Sequence, residues 1–171
     1  MRIALFVSLA LAVSALGQEA PPDAAAHRAA IAKLDFMVGQ WEGSGWDQRG
    51  PKRTEFTSKE TVRPAAGGTL LLIEGNHKTT DGGFDAFGLV AWNETSKAYE
   101  FRSYTSEACS GLNDFKVTGE RRVEWSFAIP QGRVRYTVDM GEADRWVEAG
   151  EFSRDGNEWR KFFEMTLKRV K

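Results

Sequence analysis

The side chains best able to do chemistry in this sequence are few. Two histidines, His27 and His77, lie fifty residues apart, and Cys109 is the only thiol. A metal site built on that stock would have to gather carboxylates from separate strands, because neither histidine has a ligand partner at short spacing. The motifs of hydrolytic, redox and nucleotide chemistry are missing: there is no G-x-S-x-G, H-E-x-x-H, C-x-x-C, Walker loop or G-x-G-x-x-G. Carboxylates abound, yet Asp81, Asp85, Glu94, Glu107, Asp139 and Asp144 show no spacing that marks a general acid and base, and such groups are ordinarily solvated.

Two polar residues stand apart. Glu74 and His77 share an extended run in which alternation puts them on opposite faces, so one of the two points inward. An inward His77 could ligate haem iron or anchor the polar end of a ligand. The favoured alternative leaves it at the wet end of the strand beside Lys78. Glu60 falls on the same face as Phe56 and Val62, where a carboxylate needs an arginine or a buried donor as partner. His27 reads as a solvated residue in the first turn of an alanine-rich helix. Cys109 excludes an intramolecular disulfide; the preferred reading leaves it inert in a small apolar pocket, the alternative bridges two chains. Asn93-Glu94-Thr95 fits a glycosylation sequon but reads as turn chemistry.

The elements that must position these groups are organised around Leu34 to Trp46, LDFMVGQWEGSGW. Upstream, Ala30, Ile31, Leu34, Met37 and Val38 recur at helical spacing, Asp23 is an N-cap, and the helix is expected from about Ala24 to Met37 with Gly39 ending it. Downstream, Trp41, Gly43 and Gly45 alternate with Gln40, Glu42 and Ser44. A strand with one indole and two hydrogens on one face suits a small sheet bending to close on itself.

About ten strand-like runs follow. Thr54 to Val62 and Thr69 to Lys78 flank Ala65-Ala66-Gly67-Gly68, and Asp81-Gly82-Gly83 is a hairpin turn before Phe84 to Trp92. Asn93 to Lys97 is a loop before Tyr99 to Thr105, Ser106 to Asn113 reads as loop, and Asp114 to Thr118 as a short strand. Val123, Trp125, Phe127 and Ile129 alternate with polar or small residues, as do Val134, Tyr136, Val138 and Met140. Trp146 to Phe152 and Glu158 to Arg169 complete the set, the last with Trp159, Phe163, Met165 and Leu167 on one face. With no crossover helices, these runs predict an all-β fold: an antiparallel up-and-down barrel of about ten strands, with one N-terminal helix capping an end.

Compartment and partners follow from composition. Arg2, the apolar run Ile3 to Val13 and Ala15-Leu16-Gly17 resemble a signal peptide over residues 1–17, too short to span a bilayer. Residues 18–26 read as a tether and 27–171 as a single domain. The expected location is secreted or periplasmic, with no integral membrane segment after cleavage. Removing residues 1–17 takes away one of 23 basic and none of 24 acidic residues, so the balance stays slightly acidic and nothing resembles a nucleic-acid footprint. Six Trp and eleven Phe are a heavy aromatic load, explained by barrel packing or by a cavity.

With the G-x-W-x-G-x-G opening at 39–45, FGLVAWNETSKAYEFRSY at 87–104 and WRKFFEMTLKR at 159–169, the chain resembles the lipocalin-like domain of unknown function 1579 family. That family belongs to the calycin group of barrels, with fatty-acid-binding proteins and nitrobindins. The resemblance implies a calycin barrel; nitrobindin-like relatives hold haem through a late histidine, and no histidine follows His77 here. No cofactor is therefore expected.

The leading reading is a barrel that holds a small apolar or amphipathic molecule against Trp41, Phe56, Phe101, Trp125, Phe127, Tyr136, Trp146 and Phe163, with Glu60 and His77 as polar contacts. A second is a packed barrel working through its surface as an envelope interaction module. A third, an enzyme on a lipid or aromatic substrate, requires a partnered inward carboxylate such as Glu60.

Overall fold

The computed structural model describes residues 23–170. The residues read as a signal peptide, and most of those read as a tether, lie outside the described residues. Asp23 caps the helix α1 (Ala24–Ala32), its Oδ1 accepting from the backbone N–H of Ala25 and Ala26 at 2.9 and 3.1 Å. The tether reading therefore ran too far: residues 24–26 are helical.

The helix is also shorter than expected. It ends at Ala32, and Leu34 leads into a single 3-10 turn, Asp35–Met37. The tighter turn lets Leu34 and Met37 both reach the interior with Ile31. Gly39, with φ of 146°, opens the first strand and does not cap the helix.

Ten strands follow: β1 Gly39–Asp47, β2 Thr54–Ala65, β3 Leu70–Thr79, β4 Gly82–Asn93, β5 Ala98–Thr105, β6 Ser110–Gly119, β7 Arg122–Ile129, β8 Gly132–Asp139, β9 Arg145–Ser153 and β10 Arg160–Arg169. Each pairs antiparallel with its sequence neighbour, and β1 pairs with β10, so the sheet is a closed barrel with no free edge. Closure rests on the glycines of β1. A Cβ at Gly43 would come within 2.1 Å of the Thr166 carbonyl oxygen of β10, so only hydrogen lets the two backbones approach.

The helix plugs one end. Ile31, Leu34 and Met37 are buried against the strand ends, each contributing roughly 1.5–3 kcal/mol of apolar burial. Trp41 is fully buried beneath them, its Nε1–H donating to the Met37 carbonyl at 2.9 Å. Arg169 closes the seam: its guanidinium lies 4.0 Å over the Trp41 ring and donates to the carbonyls of Phe36 and Val38 and to Asp144.

Three further expectations give way. Ser106 to Asn113 is not a loop throughout, since β6 begins at Ser110; its pattern is inverted, Leu112 facing solvent while Asn113 points in and donates to Phe101 O and Ser103 Oγ at 3.2 and 2.9 Å. Trp159 lies outside, under the Arg135 guanidinium at 4.0 Å, because a bulge between Lys161 and Phe163 resets the alternation of β10. Cys109 is exposed in the β5–β6 loop and sits in no apolar pocket. The Asn93 reading holds: its Oδ1 accepts from the Thr95 and Ser96 N–H groups at 3.0 Å.

Candidate functional site

Alternation along the strands sends side chains from every side of the barrel into one interior. Trp41, Phe56, Phe101, Tyr136, Trp146 and Phe163 are buried there, and Trp125 and Phe127 pack against them. Glu60 and His77 also point in, and each is more than nine-tenths buried. For His77 this corrects the favoured expectation of a wet strand end. Lys78 faces solvent, as parity requires, but His77 pairs across β3–β4 with Phe84 and stacks on it, centroids 4.4 Å apart.

These side chains form a continuous belt around the interior. His77 Nε2 stands 3.4 Å from Glu60 Oε1, and its ring meets Phe56 edge-on at 5.5 Å. Phe56 stacks on Phe163 at 5.5 Å, which meets the edge of Tyr136 at 5.5 Å. Tyr136 and Trp125 stack nearly parallel, their centroids 4.0 Å apart. The Trp125 Nε1–H then donates to Glu148 Oε1 at 3.1 Å, and the Trp146 Nε1–H to Glu148 Oε2 at 3.2 Å. Trp146 meets Trp41 at 5.7 Å, and Trp41 stands beside Glu60 in the β1–β2 register, closing the circuit.

Glu148 was missed by the sequence reading, although Trp146, Glu148, Gly150 and Phe152 form an alternating set on β9 and parity alone places the carboxyl inside. Ser58, fully buried, was missed for the same reason on β2. Among the described residues no arginine meets Glu60. Its donor is Ser58 Oγ at 3.2 Å, and its headroom comes from Gly75, where a Cβ would lie 2.7 Å from both carboxyl oxygens.

Burial sets the charges. Desolvation, with the nearby Glu148 charge adding, pushes the Glu60 carboxyl up to about 8 against the smaller lowering effect of Ser58. Desolvation likewise raises Glu148 to about 7, opposed by the two indole N–H bonds. It lowers His77 to about 4, opposed by Asp85. The 3.4 Å contact between Glu60 and His77 is therefore a neutral carboxyl beside a neutral imidazole near pH 7, not an ion pair. Such a pair can pass a proton. It does not activate Ser58, whose hydroxyl bonds Glu60. His77 Nδ1, on the other side of the ring, is buried with no hydrogen-bond partner.

Two open concavities lie on the surface around this interior. One, of about 380 Å³, lies at the β3–β4 hairpin, at the end away from the helix, and reaches His77, Thr79, Phe84 and Ser106. The other, about 540 Å³, is a groove on the outer wall, lined by Lys59, Glu74, Asp85, Phe87 and Tyr104 among others. Among the described residues no group of histidines, cysteines and carboxylates has the makings of a metal site.

No protein family and no curated protein matches the sequence. Solved structures do match the fold. Rv2717c from M. tuberculosis is 14% identical, with a TM-score of 0.57 over 85% of this chain and 98% of that one. The S-type phycobiliprotein lyase CPES from Guillardia theta is 7% identical, with a TM-score of 0.60 over 88% and 99%. A protein of unknown function from the DUF3598 family of Nostoc punctiforme is 9% identical, with a TM-score of 0.52 over 80% of this chain and 49% of that chain. At these identities the likeness is one of fold: the chain is a closed antiparallel barrel of the lipocalin-like kind.

Proposed function

We propose that this protein is an exported binding barrel that holds a small apolar or amphipathic molecule within the aromatic belt, entered at the β3–β4 end. The observation that carries the reading is His77 Nδ1: a buried polar atom without a partner, set among aromatic rings and beside an open pocket of about 380 Å³ at the β3–β4 hairpin. A buried polar group left unmet costs about 1–3 kcal/mol, so a site that keeps one has a use for it. A ligand's polar end would meet that nitrogen and its apolar body the rings. The kinship with the lipocalin-like 1579 family, cleavage after Gly17 and a secreted or periplasmic location belong to the same proposal. They are supported by the sequence features already described.

The test is titration with Nile red, a neutral apolar dye, followed through the tryptophans of the belt, together with native mass spectrometry of protein purified from its source. Saturable binding with quenching of tryptophan emission is expected. A chain with no adduct, no saturable dye binding and unchanged emission overturns the reading. The surface-module alternative draws on one observation: Phe87, Tyr104 and Leu112 are exposed on neighbouring strands of the outer wall, Phe87 and Tyr104 6.4 Å apart.

A further inference from the structure

Among the described residues the belt holds no fixed cation. Glu60, Glu148 and His77 are inward and buried, while among the described residues no lysine or arginine is buried. A ligand headed by a carboxylate or phosphate would find no counter-ion in the interior and would face two carboxyls. A ligand headed by an ammonium would find acceptors. It would also lie among aromatic rings, since Trp125, Tyr136, Trp146 and Phe163 belong to the same circuit, and the attraction of a cation to such rings is strongest when water is excluded.

Resting on the binding reading above, we propose that the belt recognises an organic cation, an alkylammonium whose N–H groups are accepted by Glu60 and Glu148 and whose chain lies against the aromatic rings.

The hydrogen bonds already present fit this occupant. Both oxygens of Glu148 receive an indole N–H, which orients the carboxyl and suits its charged form. Glu60 receives only Ser58, leaving acceptor capacity free. In the tautomer that points Nε2–H at Glu60, the unmet His77 Nδ1 is a further acceptor.

The remaining charges leave the assignment intact. Asp47 and Arg49 neutralise one another across 2.9 Å at the rim over Tyr136, Asp85 lies outside near His77, and Arg169 is held by Asp144 and backbone carbonyls beyond Trp41. Desolvation favours the protonated carboxyls. An arriving ammonium offsets that penalty, so the carboxyl proton leaves for solvent as the cation binds.

Three eight-carbon probes separate the possibilities: octylammonium, octan-1-ol and octanoate, titrated calorimetrically at pH 7 in two buffers of different ionisation enthalpy. Octylammonium is expected to bind about tenfold or more tighter than octanol, with octanoate weakest, and to release on the order of one proton per molecule bound. In E60Q/E148Q the three affinities should fall within about threefold of each other, with near-UV circular dichroism reporting that the variant is folded. Octanoate binding as tightly as octylammonium, an amine preference that survives in E60Q/E148Q, or binding without proton release overturns the cation assignment while leaving the barrel a binder. Failure of all three probes removes both this inference and the binding reading. Proton release is measured on the unaltered protein and stands even if the double variant does not fold.

Discussion

The helix end of the barrel and the belt at its middle bury the same kinds of rings and treat polarity in opposite ways. At the helix end every polar atom named has a partner: Trp41 Nε1 on Met37 O, Tyr99 Oη on Ala30 O at 2.8 Å, and Arg121 Nε on Met140 O at 2.6 Å. Arg169 spends its donors on two carbonyls and Asp144. In the belt, Glu60 is short of donors and His77 Nδ1 has none of the partners it could use. The first region is arranged for stability alone. The second keeps unmet polarity in a dry place, which folding by itself would not favour.

The largest test of that contrast is Trp41→Ala. Trp41 has no exposed surface, an edge contact to Trp146, a hydrogen bond to Met37 and a guanidinium above it, so its removal leaves a cavity at the joint of helix and barrel. A loss of about 3–5 kcal/mol in urea unfolding is expected. Phe84→Ala at the half-buried rim should cost distinctly less. Equal losses at the two positions would mean that the helix end is not the structural anchor.

The next effect is smaller and belongs to the belt. Glu60 titrates near 8 and Glu148 near 7 in the folded chain against about 4.5 unfolded, so between these values the native state holds protons that the unfolded chain has released. Stability therefore falls as pH rises through that window. His77 works the other way: folded near 4 against 6.5 unfolded, it favours the native state increasingly as pH rises from 4 to 6.5 and is silent above. From pH 6.5 to 8 only the carboxyls act, and a loss on the order of 2 kcal/mol is expected, measured by urea unfolding at fixed salt. E60Q should remove most of that slope. An unchanged slope in E60Q would place the titration elsewhere and make the belt as well satisfied as the helix end.

How much of this could be read from sequence follows from what alternation encodes. Strand number, most hairpin positions and the eight inward aromatic residues are legible because the barrel's interior is largely apolar and a period of two records it, as in Val123 to Ile129 and Val134 to Met140. The reading failed where the pattern is locally broken. Asn113 inside and Leu112 outside hide half of β6, and a bulge in β10 moves Trp159 to the surface. His77 was misjudged because a lysine neighbour speaks for the opposite face of a strand, not for the depth of the residue itself. Glu148 was passed over although its parity was plain and Trp146 lies two residues away on the same strand, since its second partner, Trp125, comes from β7 and meets it only once the sheet has formed.

The smallest effect separates the two regions most sharply, because it runs against the usual direction of core mutations. His77→Phe keeps a ring between Phe56 and Phe84 and deletes the nitrogen that has no partner. Truncation at the helix end destabilises; here the apolar ring should stabilise, by about 1 kcal/mol at pH 7, since an unmet buried group is removed and Glu60 keeps its bond from Ser58. The gain should grow as pH falls from 6.5 towards 4, because the native chain then no longer has to hold an imidazole neutral that the unfolded chain protonates. Urea unfolding of the two proteins at pH 7 and pH 5 measures both parts. A destabilised H77F at pH 7 would show that the nitrogen is satisfied in solution, and the belt would then be packing of the same kind as the sealed end.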